Sequence, residues 1–519
     1  MPTKKKPLKK RSGTKSRTKA PAGHPAPGAP IVAPGSPAKF RARVRMYRQG
    51  LGDCFLVTFP QNGKPFHVLI DCGVLVGTGE SMTRVVEHVR DTIRGGTRTG
   101  KARLDVVVAT HEHKDHLSGF NQARDVFSRD FDFGSVWLGW TENLTKPEIK
   151  KIKEARKRVA LMLRAALASP LAAAAGAQLQ DIESLLAFTE DDDTTGARTI
   201  AEALEYLKLR GKAAGDLRYC EPGTGPIEVE GLEGVRVYVL GPPRDPILLK
   251  SSEVTKAHKT DDVIYHLSRT GEAGVDALGA AVATLPGSDR DRYYPFSAEH
   301  RIPRVLRDPA APDTVKPNPH FAAIRAFVAQ TYDDPAQEWR RIDHDWLSAF
   351  GQLALDLDSD TNNTSLVLAF EFVHTRDVLL FVGDAQVGNW QSWASVEFDV
   401  PGRSKPMPAH DLLARTVFYK VGHHCSHNAT LKKGGLELMQ NDDLVAFIPL
   451  DKATAKMQGK KDENGVPKGW DMPAAPLLKA LNQHARNRVV ISDVNEPLPP
   501  EAAKAGVVAT DTYVDYFLK

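Results

Sequence analysis

ThrHisGluHisLysAspHisLeuSerGly (110–119) decides the reading of this chain. His111, His113 and His116, with the carboxylate of Asp115, fall within six residues (111–116). Imidazole nitrogen and carboxylate oxygen are ligands for zinc and similar divalent ions. The stretch follows LeuAspValValValAlaThr (104–110), a continuous apolar run of the kind a strand covered on both faces presents. On a helix, residues two apart point away from each other. On a tight loop leaving a strand, His111 and His113 can converge on one ion while Asp115 and His116 turn toward a second position. The chain has 17 His in 519 residues, so three in six at a strand end is far denser than a polar surface loop needs.

Two later stretches share this order of strand, then ligand. ValLeuLeuPheVal (378–382) delivers Gly383, Asp384 and Ala385, and ValPheTyrLysVal (417–421) delivers Gly422, His423, His424, Cys425, Ser426 and His427. Alone, a Gly-Asp pair is usually a turn and a His pair usually surface. Jointly, three apolar runs in one chain end in ligand-type residues.

The surrounding pattern is that of an α/β protein. Alternating or apolar runs predict strands over 43–47, 55–59, 67–71, 235–240, 365–372, 444–448 and 488–492. Thr145 and Glu148 have capping-box spacing with Pro147 in the first turn, and Ile149, Ile152, Val159, Leu163 and Leu167 recur at near-helical intervals. An Ala-rich continuation reaches about Phe188, and a second helix is expected from Ile200 to Leu209. Further helices are expected near 319–330, 336–355 and 474–484. The order predicts one domain over 39–495, interrupted by a helical insertion (140–220) and an irregular, partly helical one (244–360). Residues 496–519 read as a C-terminal extension. No internal repeat of 20–50 residues is visible. The helical insertion leaves three readings open: a lid, a surface for a second copy (a homodimer), or packing.

Charge is divided unevenly. Residues 1–39 hold ten Lys/Arg and no acid; removing those ten from 69 bases leaves 59 against 64 acids. The mild basicity therefore belongs to a Lys/Pro/Ala-rich tail (1–38), which predicts disorder, and the body is mildly acidic. A basic nucleic-acid coat is excluded. Cys54, Cys72, Cys220 and Cys425 are widely spaced and form no CxxC pair, which points to a reducing, cytoplasmic setting. No apolar run reaches the roughly 18–20 residues of a membrane span, and the basic start lacks the apolar core of a signal peptide.

On these residues the chain resembles the metallo-β-lactamase superfamily, most closely the branch containing the hydrolase domain of the competence DNA-uptake protein ComEC. GlnGlyLeuGlyAsp (49–53), LeuIleAspCysGly (69–73), 110–119, ValLeuGlyProPro (239–243), AsnAsnThrSerLeuValLeu (362–368), PheValGlyAspAla (381–385) and LysValGlyHisHisCysSer (420–426) match in order. The branch usually has Gly where this chain has Cys425. The resemblance implies an αββα sandwich with the site where strand-end loops meet. It assigns His111 and His113 to a first metal site, Asp115 and His116 to a second, Asp384 as bridging carboxylate and His423 as the late ligand. His424 would then face substrate; of the two, His423 is taken as ligand because it comes first after the strand. Asp71 would orient ligand imidazoles, and Asp53 would do likewise or be a turn aspartate. One departure stands out: the GlyHisThr histidine of many members is missing, that region reading ThrAsnAsnThrSer (361–365), with His374 too late to replace it. Asn363 or Ser365 would instead touch substrate.

The implied cofactors are one or two divalent ions, Zn²⁺ or Mn²⁺. An ion of this kind lowers the pKa of bound water toward 7 and two can clamp a phosphodiester. The expected activity is thus a phosphodiesterase or nuclease using metal-activated hydroxide on a nucleic acid or nucleotide, with Asp115 orienting the nucleophile and His424 stabilising or protonating. The alternatives are a hydrolase of another ester, thioester or lactone, and a nucleic-acid-binding protein with a degenerate metal site.

Overall fold

The computed structural model describes residues 40–76, 79–95, 97, 99–167, 182–183, 185–188, 198–250, 319–334, 336–337, 354–459 and 469–519. The basic tail, most of the Ala-rich stretch and nearly all of the helix expected over 336–355 lie outside the described residues.

The described chain is mixed α/β, carried by two mixed sheets. The first contains β1 (Ala42–Tyr47), β2 (Cys54–Phe59), β3 (Phe66–Cys72), β4 (Ala102–Ala109), β5 (Phe131–Gly139) and β6 (Leu217–Cys220) as consecutive neighbours. The second begins with β7 (Val235–Gly241), β8 (Val367–Phe372) and β9 (Val378–Phe381). A two-stranded ribbon of β10 (Glu397–Phe398) and β11 (Met407–Pro408) follows. Then β12 (Thr416–Lys420), β13 (Val445–Ile448) and β14 (Val489–Ile491) complete the second sheet, in the order β14-β13-β12-β9-β8-β7. From β1 to β6 the pairings run antiparallel twice and then parallel three times. From β7 to β14 the second sheet repeats that pattern. The likeness of the halves is thus topological and leaves no residue period to read.

The side chains explain the layering. Strands β2, β3, β8, β9, β12 and β13 are buried at every residue, so they read as continuous apolar runs. Successive side chains still point to opposite faces. Val106 and Val108 of β4 enter a core shared with Phe370, Phe381, Phe418 and Phe447 of the second sheet. Val107 between them packs outward against helices α1 (Gly79–Arg94), α2 (Lys114–Gln122) and α3 (Arg124–Asp130), through Val86, Val89, Leu117, Phe120 and Phe127. On the second sheet, Leu380, Tyr419 and Ala446 face outward to Trp390, Trp393 and Leu481. The two sheets therefore share one inner core and each is covered outside by helices.

Two boundaries differ from the sequence reading. Residues 496–519 are not an appendage. They supply β15 (Val507–Ala509) and β16 (Tyr513–Leu518), and β16 pairs with β1 from Ala42↔Leu518 to Tyr47↔Tyr513. Val514, Tyr516 and Leu518 enter the inter-sheet core, and Arg45 holds Asp515 through two contacts of 2.7 and 2.6 Å. The second correction concerns 140–220. Among the described residues, α4 (Pro147–Leu167), with Ile182 and Leu186 beside it, stands apart from the sheet layers. The next long helix, α5 (Ile200–Ala214), packs Ala203, Leu204 and Leu207 on the first sheet, and β6 pairs with β5. Thr199 and Glu202 form the capping box of α5, and Gly215 at φ 81° ends it. Thr145, by contrast, bonds Asn143 Oδ1 rather than forming the expected box.

Residues of the two insertions meet. Met162, Leu163, Ile182 and Leu186 pack with Ala354 and Leu357 of a helical segment at 354–362. Among the described residues, no helix is long and apolar enough to cross a membrane.

Candidate metal centre

Strand ends from both sheets converge here. Asp71 is the next-to-last residue of β3, Thr110 to His116 follow β4, Asp384 follows β9, and His423 and His424 follow β12. The loop 50–53 is pressed against this motif. Asp53 N–H donates to Asp115 O at 2.9 Å. A Cβ on Gly52, whose φ is +150°, would stand 2.6 Å from that same oxygen, and one on Gly73 would stand 2.3 Å from Asp115 C. Only glycine fits either position.

Four site histidines have one ring nitrogen anchored. His116 Nδ1 lies 2.8 Å from Asp71 Oδ2. Asp71 is fixed in turn by Thr110, whose N–H and Oγ1 donate to it at 2.8 and 2.7 Å. His424 Nδ1 donates to Pro449 O at 2.6 Å. His111 Nδ1 has Thr110 Oγ1 at 3.1 Å and Ser365 Oγ at 3.3 Å. His423 Nδ1 has Ser426 Oγ at 2.8 Å and Gln386 Nε2 at 3.1 Å. Anchoring one nitrogen fixes the tautomer and aims the other.

The aimed atoms form two groups. Asp53, His116, Asp384 and His424 each offer one atom, all within 4.8 Å of one another and all buried; this group could hold a metal ion. Beside it, His111 Nε2 and His113 Nδ1 stand 3.1 Å apart. Two nitrogens held at roughly 2.05 Å by one tetrahedral ion lie about 3.3 Å apart, so this spacing also suits a shared ion. Asp115 Oδ2 lies 2.8 Å from His424 Nε2 and 3.4 Å from His116 Nε2.

His116, Asp384, Asp115, His111 and His113 are thus brought together, but of the two late histidines it is not the expected one that joins them. His424, not His423, belongs to the metal-capable group. The cause is backbone conformation. His423, His424 and Cys425 have φ of 39°, 48° and 65°, three successive non-glycine residues in the left-handed region. Such residues cost on the order of 1–3 kcal/mol each and persist where the surroundings impose them. The turn carries the His423 ring aside and the His424 ring inward. Asn363 and Ser365 brace the loop carrying Asp384 instead of standing free for substrate. Asn363 Oδ1 accepts from Gln386 and Asn389 N–H at 3.2 Å each, and Ser365 Oγ accepts from Asp384 N–H at 2.9 Å.

Two residues take a part in the site that the sequence reading did not give them. Asp53 joins the metal-capable group directly. Lys420, the last residue of the buried strand β12, places Nζ 2.5 Å from Asp53 Oδ2, 2.6 Å from Gly383 O and 3.2 Å from Asp384 Oδ1. A lone Lys in an apolar run was the available signal, because a buried charge needs a partner. Glu112 faces away from the centre, toward Lys153 of α4 at 2.5 Å; Lys153 also holds Glu142 at 2.6 Å.

The electrostatics divide the site. Burial depresses the pKa of His111, His113 and His423, the latter two to about 4. Burial also opposes charge on His116 and His424. Asp384 and Asp115 outweigh it and hold both pKa values above the ordinary one, His116 far above. Asp115 and Asp384 are correspondingly held well below the carboxylate range despite burial. Asp53 is pushed up, burial prevailing over Lys420. Buried atoms without a hydrogen-bond partner include Asp53 Oδ1, Asp115 Oδ1 and His116 Nε2. Buried polar atoms normally have one. Unpartnered carboxylate and imidazole atoms on residues of one buried cluster fit a divalent cation.

Compared with models of known protein families and with curated proteins, the chain matches none.

Proposed function

We propose that the protein is a metal-dependent hydrolase with a metallo-β-lactamase-like αββα sandwich, acting on phosphodiester bonds as a phosphodiesterase or nuclease. The observation that carries this is the buried Asp53–His116–Asp384–His424 group, joined at the same strand ends by the His111–His113 pair. Imidazole and carboxylate together suit Zn²⁺ or Mn²⁺. Asp53, His116, Asp384 and His424 would hold one ion, and His111 with His113 a second. Bound divalent ions supply an activated water and stabilise charge on attacking and leaving oxygens of a phosphodiester.

The residues of the chain do the positioning. Asp115 is ionised beside His116 and His424, and its unpartnered Oδ1 can accept a hydrogen bond from water and orient it. Lys420 keeps Asp53 and Asp384 in place. Asp71 and Pro449 O aim the Nε2 atoms of His116 and His424. Counting His424 among the ligands removes it from the proton-donor role that the sequence suggests.

A second reading, hydrolysis of a smaller ester, thioester or lactone, has one observation in its favour. Phe188 lies 5.6 Å from the His113 ring and stacks on Trp470 at 5.2 Å, so the surroundings of the His111–His113 pair are apolar, which suits a partly apolar substrate better than a polyanion. Purified protein loaded with Mn²⁺ or Zn²⁺ is offered bis-p-nitrophenyl phosphate, single-stranded DNA and a thioester, beside His111→Ala. Diester cleavage at least tenfold above the variant is expected. Equal diester rates sink the first reading, and thioester cleavage alone establishes the second.

A further inference from the structure

The second insertion contributes a side chain to this centre. Asp358, in the helical segment 354–362, is 6 % exposed and its Oδ1 has no hydrogen-bond partner. The nearest ring nitrogen is His113 Nε2, at 3.9 Å; it is equally buried and equally without a partner. The other Asp358 oxygen accepts from Asn362 Nδ2 at 3.0 Å, which fixes the carboxylate on its own helix. Arg156 of α4 holds the same segment through Asp360 O at 2.5 Å.

His113 is the one site histidine without an anchor. His111, His116, His423 and His424 each have one nitrogen held by a hydroxyl, carboxylate, amide or carbonyl. On His113, Nδ1 faces His111 Nε2 at the candidate ion position, and Nε2 faces Asp358. An imidazole that gives Nδ1 to a cation carries its proton on Nε2, and that N–H needs an acceptor. The 3.9 Å gap exceeds a hydrogen bond and closes with a shift of about 1 Å to the 2.7–3.2 Å range.

We propose that Asp358 is the positioning carboxylate of His113. It accepts the Nε2–H, sets the tautomer and makes Nδ1 a better donor at the position shared with His111. The proposal rests on the hydrolase reading of the centre, and metal affinity tests it apart from activity. Full-length protein stripped by chelator is titrated with Zn²⁺ by calorimetry, as wild type, Asp358→Asn and Asp358→Glu. Asparagine keeps the bond to Asn362 and turns an amide donor toward Nε2–H. One binding step should weaken about 10–100-fold in Asp358→Asn, the usual effect of losing such a partner. Both steps should still fill at saturating Zn²⁺, and Asp358→Glu should recover much of the loss. In ¹⁵N-histidine-labelled, zinc-loaded protein, the His113 Nε2–H resonance should move in Asp358→Asn while the His116 and His424 Nδ1–H resonances stay. Unchanged affinities in Asp358→Asn overturn the proposal. So does permanent loss of one ion from a natively folded variant, which would make Asp358 a ligand. If wild type takes up no ion, the hydrolase reading falls together with this inference.

Discussion

Replacing Lys420 by Met removes a buried cation and keeps most of its volume. Nζ stands 2.5 Å from Asp53 Oδ2 and 3.2 Å from Asp384 Oδ1, and the side chain is 2 % exposed. At an effective dielectric near 20, these separations correspond to roughly 5–7 kcal/mol of gross attraction per pair. Desolvation of the three charges offsets most of that, and breaking such a buried pair typically costs about 3–5 kcal/mol. Metal-free Lys420→Met should therefore be destabilised by about 3–5 kcal/mol in urea unfolding. Excess Mn²⁺ should shrink the deficit, because an ion beside Asp53 and Asp384 replaces the missing charge. Adding Asp53→Asn should cost less than the sum of the single changes by roughly 1–3 kcal/mol, since the partners are in contact. A metal-free Lys420→Met within about 0.5 kcal/mol of wild type would refute the reasoning, that being the scale of an ordinary surface substitution.

Deleting residues 506–519 removes β15 and β16 and takes Val507, Val514, Tyr516 and Leu518 out of the inter-sheet core. At about 1.5–3 kcal/mol per large apolar side chain the domain should fail to fold, read as loss of soluble protein or of a cooperative transition. His67, buried on β3, has its pKa lowered by burial to about 4. Its stabilising effect is full above the unfolded pKa near 6.5 and is lost as pH falls toward 4, about 3 kcal/mol. His67→Gln should flatten the acid limb of stability against pH by about that amount, whereas an unchanged limb contradicts the assignment. Lys153→Met leaves Glu112 and Glu142 facing each other without their shared cation and should destabilise by about 3 kcal/mol. Because Glu112 lies between His111 and His113, metal affinity should fall as well, and calorimetry checks both effects.

Much of the site was legible because ligand-type residues directly follow apolar strands. That adjacency singles out 111–116, Asp384 and the His423–His424 pair without knowledge of pairing. The order within the last pair was not legible. It depends on three consecutive positive φ values that no local propensity would forecast for His, His and Cys. Asp53 was obscured because GlnGlyLeuGlyAsp resembles a turn; its burial comes from Gly52 and Gly73 admitting the Asp115 backbone. Asp358 sits in a stretch with no periodicity or motif. In the fold, strands within each half follow from apolar runs, whereas β16 pairs with a strand at the opposite end of the chain. Pairing at that separation leaves no local signal, so 496–519 read as an extension. α5 and β6 were assigned to an insertion because the Ala-rich stretch ahead of them breaks the alternation of strands and helices.

Metal binding by the buried Asp/His cluster can be measured apart from any activity. Its most direct test is calorimetric titration of chelator-stripped protein with Zn²⁺ in two buffers of different ionisation enthalpy. Asp384 and Asp115 hold the pKa values of His116 and His424 above the ordinary imidazole value, so binding an ion through these rings should release protons. Saturable uptake of at least one ion per chain is expected, with proton release, tighter at higher pH and abolished by Asp384→Ala. No uptake, or uptake that Asp384→Ala leaves intact, would contradict that expectation.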